Sequence, residues 1–490
     1  MILLTRVSIL VGITFLCGCS TGNTWSEQLR ITSYSIEARL HRELAPWVVP
    51  AKIFRVEDHG ARADGRTVNT AAIQATIDEC SVSGGGVVEF SGGDYVTGTI
   101  VLQPKVMLDV AAGSRILGST DLSDYPEHVE SLRSLLSERY HITRSLIYAE
   151  NVTDIGIRGK GEIYFRGEKQ NFPGPESTGE MSGRPLGIRI ISSSSVVMQD
   201  ITLRNSAAWM QSYVASQDLT FDNIKVINHA NFNNDGLDLI SCRNVIIRNA
   251  FINAEDDAMC LKGLAGLPTE NIVIEHSTFY SACNALKIGT ETQGSFRNVF
   301  AHDVVLGGIP DTMETSRGHE AISGITLATV DGGDVEDVRI SSVRIDRADS
   351  PIFIRLGDRS RVAEGTRPGH LHRVLIEDAS GADNSSQGSF VSGLEEAPVE
   401  DVEIRNLELS VVGGGTEAMA QRQVSDDRAA YPDAKMFSAS GLPGYGFFVD
   451  HARNVVFENV KVSPHSPDAR PVIATGTDIA NIVANGDRIK

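Results

Sequence analysis

The chain has 490 residues and a formal net charge of −19, with 22% charged and 41% hydrophobic residues. An acidic surplus of this size excludes a broad basic surface for nucleic acid or anionic lipid, so no nucleic-acid partner is expected. Any polyanionic ligand would have to be met by lysines and arginines gathered locally in a cleft.

The first segment has the order of an export signal: Arg6, an apolar run from Val7 to Leu16, then Cys17-Gly18-Cys19-Ser20. It is too short to span a bilayer. Leu16-Cys17-Gly18-Cys19 reads as a bacterial lipobox, so residues 1–18 are expected to be removed and Cys19 to carry lipid. The expected location is the cell envelope, as a periplasmic or outer-membrane lipoprotein touching the membrane only through that anchor, with free secretion as the alternative. Residues 19–50 show no clear pattern and are read as a tether plus a first edge element. Residues 51–490 are left for one domain.

Asn69 to Cys80 is the main helical candidate, with Ala72, Ile73, Ala75, Thr76, Ile77 and Cys80 on its apolar side. From about Asn151 onward one pattern recurs, a polar or Asn-containing turn followed by short Val/Ile-rich strands. Gln217-Asp-Leu-Thr-Phe, Arg243-Asn-Val-Ile-Ile, Glu270-Asn-Ile-Val-Ile and Arg297-Asn-Val-Phe are successive copies, at intervals of roughly 26 to 27 residues. A period of this length, filled by β-branched strands of four to six residues, predicts a solenoid of β coils: an all-β parallel β-helix. The Asn69–Cys80 helix would cap its open end, because an uncovered terminus is an unpaired edge. Insertions at Ser119–Tyr140, Gly167–Pro185, Leu306–Glu320 and Gly413–Gly446 interrupt the period and are expected to shape a cleft.

Beyond the lipobox only Cys80, Cys242, Cys260 and Cys283 occur, with no C-x-x-C pair. They read as small buried side chains, and neither a structural metal nor a cofactor is expected.

Three consecutive coils contain Asp235-Gly-Leu-Asp-Leu, Asp257-Ala-Met-Cys-Leu and Asn284-Ala-Leu-Lys-Ile. They align without gaps through the inward pairs Leu237/Leu239, Met259/Leu261 and Leu286/Ile288. A slip of one residue would turn those pairs outward. Asp235, Asp257 and Asn284 should therefore form a ladder, with Asp256 one place off it. Neighbouring carboxylates cannot all ionise freely, so one is expected to hold a proton near neutrality. An acid beside a carboxylate base is what glycoside hydrolysis needs. Lys262 and Lys287 flank this cluster, either to bind substrate carboxylates or to balance charge.

At these residues the chain resembles glycoside hydrolase family 28, the polygalacturonase and rhamnogalacturonan hydrolase family. Asp58-His-Gly-Ala, Asp64-Gly-Arg-Thr-Val-Asn-Thr-Ala-Ala-Ile-Gln, Gly98-Thr-Ile-Val-Leu and Asn205-Ser-Ala-Ala-Trp209 carry the likeness, and Asn233-Asn-Asp235-Gly and Asp256-Asp257-Ala-Met-Cys-Leu-Lys262 match its catalytic motifs. The resemblance implies a right-handed, pectin lyase-like β-helix and a pectic substrate containing galacturonate or rhamnose. It implies that Asp256 is the general acid, that Asp235 and Asp257 activate water, and that the anomeric carbon is inverted. Asn233, Lys262, Asn284, Lys287 and Arg355 are the expected substrate contacts in a chain that acts as a monomer. Two departures stand out: Cys283-Asn284-Ala285 occupies the place of the family's Gly-His-Gly, and its Arg-x-Lys motif has no counterpart near Ser323–Gly333. A polysaccharide lyase and a non-catalytic carbohydrate-binding β-helix are the alternatives on the same scaffold.

Overall fold

The computed structural model describes residues 24–44, 47–132, 140–174, 183–359, 361, 367–385, 387–425, 427–437 and 441–489. The export segment and Cys19 lie outside the described residues. Each coil contributes strands to three parallel ladders, and the chain winds as a right-handed parallel β-helix. On the first face, Arg243–Arg248, Thr269–Glu275 and Phe296–Gly307 are successive rungs. Lys225–Asn228, Phe251–Ala254 and Thr278–Ser281 are rungs of the second. The third runs for twelve strands, from Ile100–Val101 through Leu237–Ile240, Met259–Gly263 and Asn284–Thr292 to Ile473–Thr475. Between the faces lies one continuous apolar core in which Leu237, Leu239, Met259, Leu261, Leu286 and Ile288 all take part.

The recurring Asn is not a turn before the strand, as its position in the repeat suggested; it bends the strand within. Asn244, Asn271 and Asn298 have φ of 54°, 57° and 56°, left-handed values that Asn tolerates better than other non-glycine residues. They stack on successive coils: the Nδ2 of Asn244 donates to Asp218, that of Asn271 to Asn244 and that of Asn298 to Asn271, each at 3.0 Å. The same device returns near the C-terminus, where Asn454 donates to Asp401 and Asn481 to Asn454.

Helix Thr70–Val82 closes the N-terminal end, with Ile73, Ile77 and Cys80 buried in the core, as the sequence indicates. The opposite end closes with the antiparallel pair Ile479–Ala484 and Asp487–Ile489. Cys80, Cys242, Cys260 and Cys283 are all free, and the first three are buried.

Residues 25–43 differ from the expected tether and edge element. They form a 19-residue helix, Trp25–Glu43, whose Thr24 side chain accepts from the Glu27 amide. Leu29 and Leu40 are buried against Ile246, Val273, Phe300 and Leu375, outward side chains of the first face. Burying that strip is the physical reason the segment is helical rather than extended. Arg30 adds a 3.0 Å contact to Glu377, which Arg339 holds from the other side at 2.9 Å.

Side chains outside the core cover both ends of the third face. At one end Ile142, Tyr148, Leu186, Trp209 and Ile240 form a cluster. At the other, Phe353, Phe390 and Phe448 stack on consecutive rungs, at 5.5 and 5.9 Å between rings, and Phe437 of the last insertion packs on Phe390. The aspartates lie between these two covered ends.

Candidate active site

The register expected from the apolar pairs is the register observed. Leu237, Met259 and Leu286 are partners on adjacent rungs, and so are Leu239, Leu261 and Ile288. One step before the strands, the Gly236 amide donates to Asp257 O and the Ala258 amide to Asn284 O, both at 2.9 Å. Asp235, Asp257 and Asn284 therefore stack, and Ser323 follows Asn284 on the next rung.

The loop before Asp235 is tightly held. Arg184, buried, donates to the carbonyls of Ala207 and Phe232 at 2.7 Å and to Asn233 Oδ1 at 2.9 Å. Asn233 has a φ of 52°, and Asn234 donates to the carbonyls of Ser206 and Ala208. Asn228 donates to Asp235 O at 2.9 Å.

The three aspartates have different environments. Asp235 and Asp257 are 4% and 5% exposed, whereas the Asp256 side chain keeps 20% of its surface accessible. Carboxylate oxygens of Asp256 and Asp257 lie within 4.8 Å of each other and of Cys283 Sγ. The Asp256 Oδ1 accepts from the Asp257 amide at 3.1 Å, and Oδ2 faces Arg317 Nη1 at 3.3 Å. Asp257 accepts from Lys287 Nζ at 2.8 Å and from Asn284 Nδ2 at 2.6 Å. Asn284 in turn accepts from Ser323 Oγ at 2.8 Å and Thr326 Oγ1 at 3.1 Å, so it orients Asp257 from a fully buried place. Lys262 Nζ bonds Asp238, lies 3.4 Å from Asp235 Oδ2, and sits 4.4 Å above the Trp209 ring.

These contacts divide the charges. Burial pushes Asp235 well above the usual carboxylate range, reinforced by Asp238 and opposed by Lys262. Asp238 is raised by burial to about 6 against the same lysine. Burial also raises Asp257, but Lys287 and Lys262 with the hydrogen bonds from Lys287 and Asn284 more than offset it, leaving Asp257 below its ordinary value. Burial thus favours the neutral form of Asp235, while the cations and donors around Asp257 favour its carboxylate.

Lys262 and Lys287, 4% and 1% exposed, are committed to aspartates, a geometry of charge balance. Arg355 does not join the cluster: it is buried and donates to Ser392 Oγ at 2.9 Å and to Gly393 O at 3.2 Å. Several neighbours of the aspartates were not singled out from sequence. Asp238 stands between the inward residues Leu237 and Leu239, as Lys287 stands between Leu286 and Ile288, so alternation alone could have found it. Arg317 and Tyr431 come from insertions without periodicity. Tyr431 lies 3.3 Å from Lys287 Nζ and 3.1 Å from Thr290 Oγ1. From the opposite side Tyr140 donates to Glu291 at 2.7 Å.

The model of glycosyl hydrolases family 28 matches residues 107–428, a span that contains Asp235, Asp238, Asp256 and Asp257. The chain belongs to glycoside hydrolase family 28. It is 29% identical over 323 residues to a probable polygalacturonase of Vitis vinifera, covering 61% of this chain and 62% of that protein. To an exo-poly-α-D-galacturonosidase of Dickeya chrysanthemi it is 22% identical over 308 residues, covering 52% and 50%. The chain thus spans about half to three-fifths of the length of these family relatives. Among solved structures, an exopolygalacturonase of Thermotoga maritima shares the fold with a TM-score of 0.66 at 19% identity, covering 93% of this chain and 97% of that one. A family 28 exopolygalacturonase of Yersinia enterocolitica gives 0.68 at 18%, covering 90% and 79%.

Proposed function

We propose that this family 28 protein is an inverting glycoside hydrolase that cleaves glycosidic bonds in pectic polysaccharides or oligosaccharides containing galacturonate or rhamnose. The observation that carries this reading is the geometry of three adjacent aspartates: Asp256 accessible and one place off the ladder, Asp257 buried and gripped by Lys287 and Asn284, and Asp235 buried on the neighbouring rung. Asp256, the most accessible, is the general acid that protonates the leaving oxygen. Asp257, ionised by Lys287 and Asn284, takes the proton of the attacking water. Asp235 orients that water.

The Asp256–Asp257 spacing, within 4.8 Å, is shorter than the roughly 6.5–9.5 Å common between inverting carboxyls. Inversion rests here on family membership and on Asp235 as the third carboxyl. The curated relatives named above support a galacturonate-type substrate. With no counterpart of the family's Arg-x-Lys motif near Ser323–Gly333 and with Asn284 in the place of the family histidine, the substrate is drawn broadly as pectic.

Asp256→Asn tests the assignment. It should lower kcat on pectic oligosaccharides by about 10² to 10⁴, the usual contribution of a positioned acid or base. Undiminished release of reducing ends by that variant would refute the role of Asp256. An unsaturated, ultraviolet-absorbing product from the native protein would replace hydrolysis with a lyase reaction.

A further inference from the structure

Two lysines stand at the aspartates, and both are committed to protein carboxylates: Lys287 Nζ is 2.8 Å from Asp257 Oδ2, and Lys262 bonds Asp238. A third cation is placed differently. Arg317 belongs to the Leu306–Glu320 insertion, and its side chain is 37% exposed beside Asp256. It engages through one nitrogen, Nη1, which lies 3.3 Å from Asp256 Oδ2 and 3.3 Å from Glu255 O. Its Nε and Nη2 make no hydrogen bond among the described residues. Nε and Nη2 form the edge with which Arg115 holds both oxygens of Asp94, at 2.7 and 2.5 Å.

The backbone that carries Arg317 is fixed. The Ser316 amide donates to Glu255 Oε1 at 2.5 Å, the Arg317 amide to Thr315 Oγ1 at 3.3 Å, and Thr315 Oγ1 to Gly318 O at 3.0 Å. Glu255 is 1% exposed and directly precedes Asp256, so the guanidinium is anchored to the corner that presents Asp256. A planar guanidinium edge matches a carboxylate through two parallel hydrogen bonds. Asp256, as the general acid, stands at the leaving oxygen, so the sugar within reach of Arg317 is the departing one. In a 4-linked uronate the carboxylate hangs from the carbon next to the one that bears that oxygen, whereas a rhamnose carries a methyl group in place of the carboxylate.

We propose that Arg317 binds the carboxylate of the departing sugar and so selects a uronate, rather than rhamnose, on the leaving side of the scissile bond. The inference rests on the hydrolase reading and on Asp256 as its acid. It gives the site a substrate-binding cation from an insertion, where the coil at Ser323–Gly333 has no Arg-x-Lys motif.

The test compares the native full chain with Arg317→Gln and Arg317→Lys on tetragalacturonate and on its methyl ester, reading kcat and KM separately. Arg317→Gln should raise KM for the acid about 10- to 100-fold, as expected for a lost hydrogen bond to a charged group, and should change KM for the ester by less than about twofold. Arg317→Lys should fall between, because an ammonium keeps the charge and loses the fork. An equal change on both substrates overturns the proposal, since Arg317 would then act on Asp256 or the insertion alone. A native preference for oligosaccharides that release rhamnose as the leaving sugar overturns it too. If neither substrate is cleaved, the hydrolase reading has failed separately, and calorimetric binding of tetragalacturonate decides the role of Arg317: weaker binding by Arg317→Gln supports carboxylate recognition, and equal affinity overturns it.

Discussion

Two stacks of side chains run along this solenoid on the same coils, and their chemistry is opposite. In the Asn244–Asn271–Asn298 stack each amide gives its NH₂ to a side-chain oxygen of the coil before it, Asp218 for the first and Asn for the other two, so every rung satisfies its neighbour at 3.0 Å. In the Asp235–Asp257–Asn284 stack the two carboxylates cannot satisfy one another. Carboxylates one coil apart repel, and the structure supplies Lys262, Lys287 and Asn284 to hold them. The same backbone repeat, a little under 5 Å between coils, thus serves cohesion where side chains are self-complementary and reactivity where they are not.

The largest effect that separates the two stacks is expected at Asp257. Asp257→Asn should cost about 10² to 10⁴ in kcat. It should also destabilise the fold by about 3–5 kcal/mol, because Lys287, 1% exposed, would be left as an unpaired buried charge. Activity assays and denaturant melts on one preparation check both. A variant that loses activity with no loss of stability would show that Lys287 finds another partner.

Next in size is Lys287→Met. Removing the cation raises the Asp257 pKa, so the acid limb of kcat/KM should move to higher pH by about one to three units. The sign for stability follows from the same shift. Asp257 lies below its unfolded value in the native protein, so its contribution is present above pH ~3.9 and fades as pH falls through the native pKa. In Lys287→Met that contribution should be gone, and the stability–pH curve below pH 5 should flatten.

The smallest effect is Asn271→Ala in the asparagine stack. It removes two ladder hydrogen bonds and a residue suited to a left-handed φ, and should cost about 1–2 kcal/mol with kcat unchanged. A change in kcat would mean that the two stacks communicate.

Much of this architecture is legible in the chain. The inward pairs from Leu237 to Ile288 set a register that leaves no freedom of one residue, and the aspartate ladder follows from it. Two other features were present but went unread. Trp25, Leu29, Ile36 and Leu40 recur at helical spacing, and Val245-Ile246-Ile247, Ile272-Val273-Ile274 and Val299-Phe300-Ala301 break strand alternation with an outward apolar residue. Together they announce a helix covering that strip. The contacts of Arg317, Tyr140 and Tyr431 were not legible, because insertions carry no period and reach the aspartates only through tertiary packing. The division of charge was also out of reach, since it depends on Lys262 bonding Asp238 and Lys287 bonding Asp257 rather than the reverse.

The central claim is that Asp256 donates a proton while Asp235 and Asp257 hold water for a single displacement, and the spacing of Asp256 and Asp257 makes stereochemistry its sharpest test. Proton NMR of the first product released from a pectic oligosaccharide, read before mutarotation, measures it directly. The account predicts the anomer opposite to that of the substrate bond. First-formed product of retained configuration would contradict it and make one of these aspartates a nucleophile.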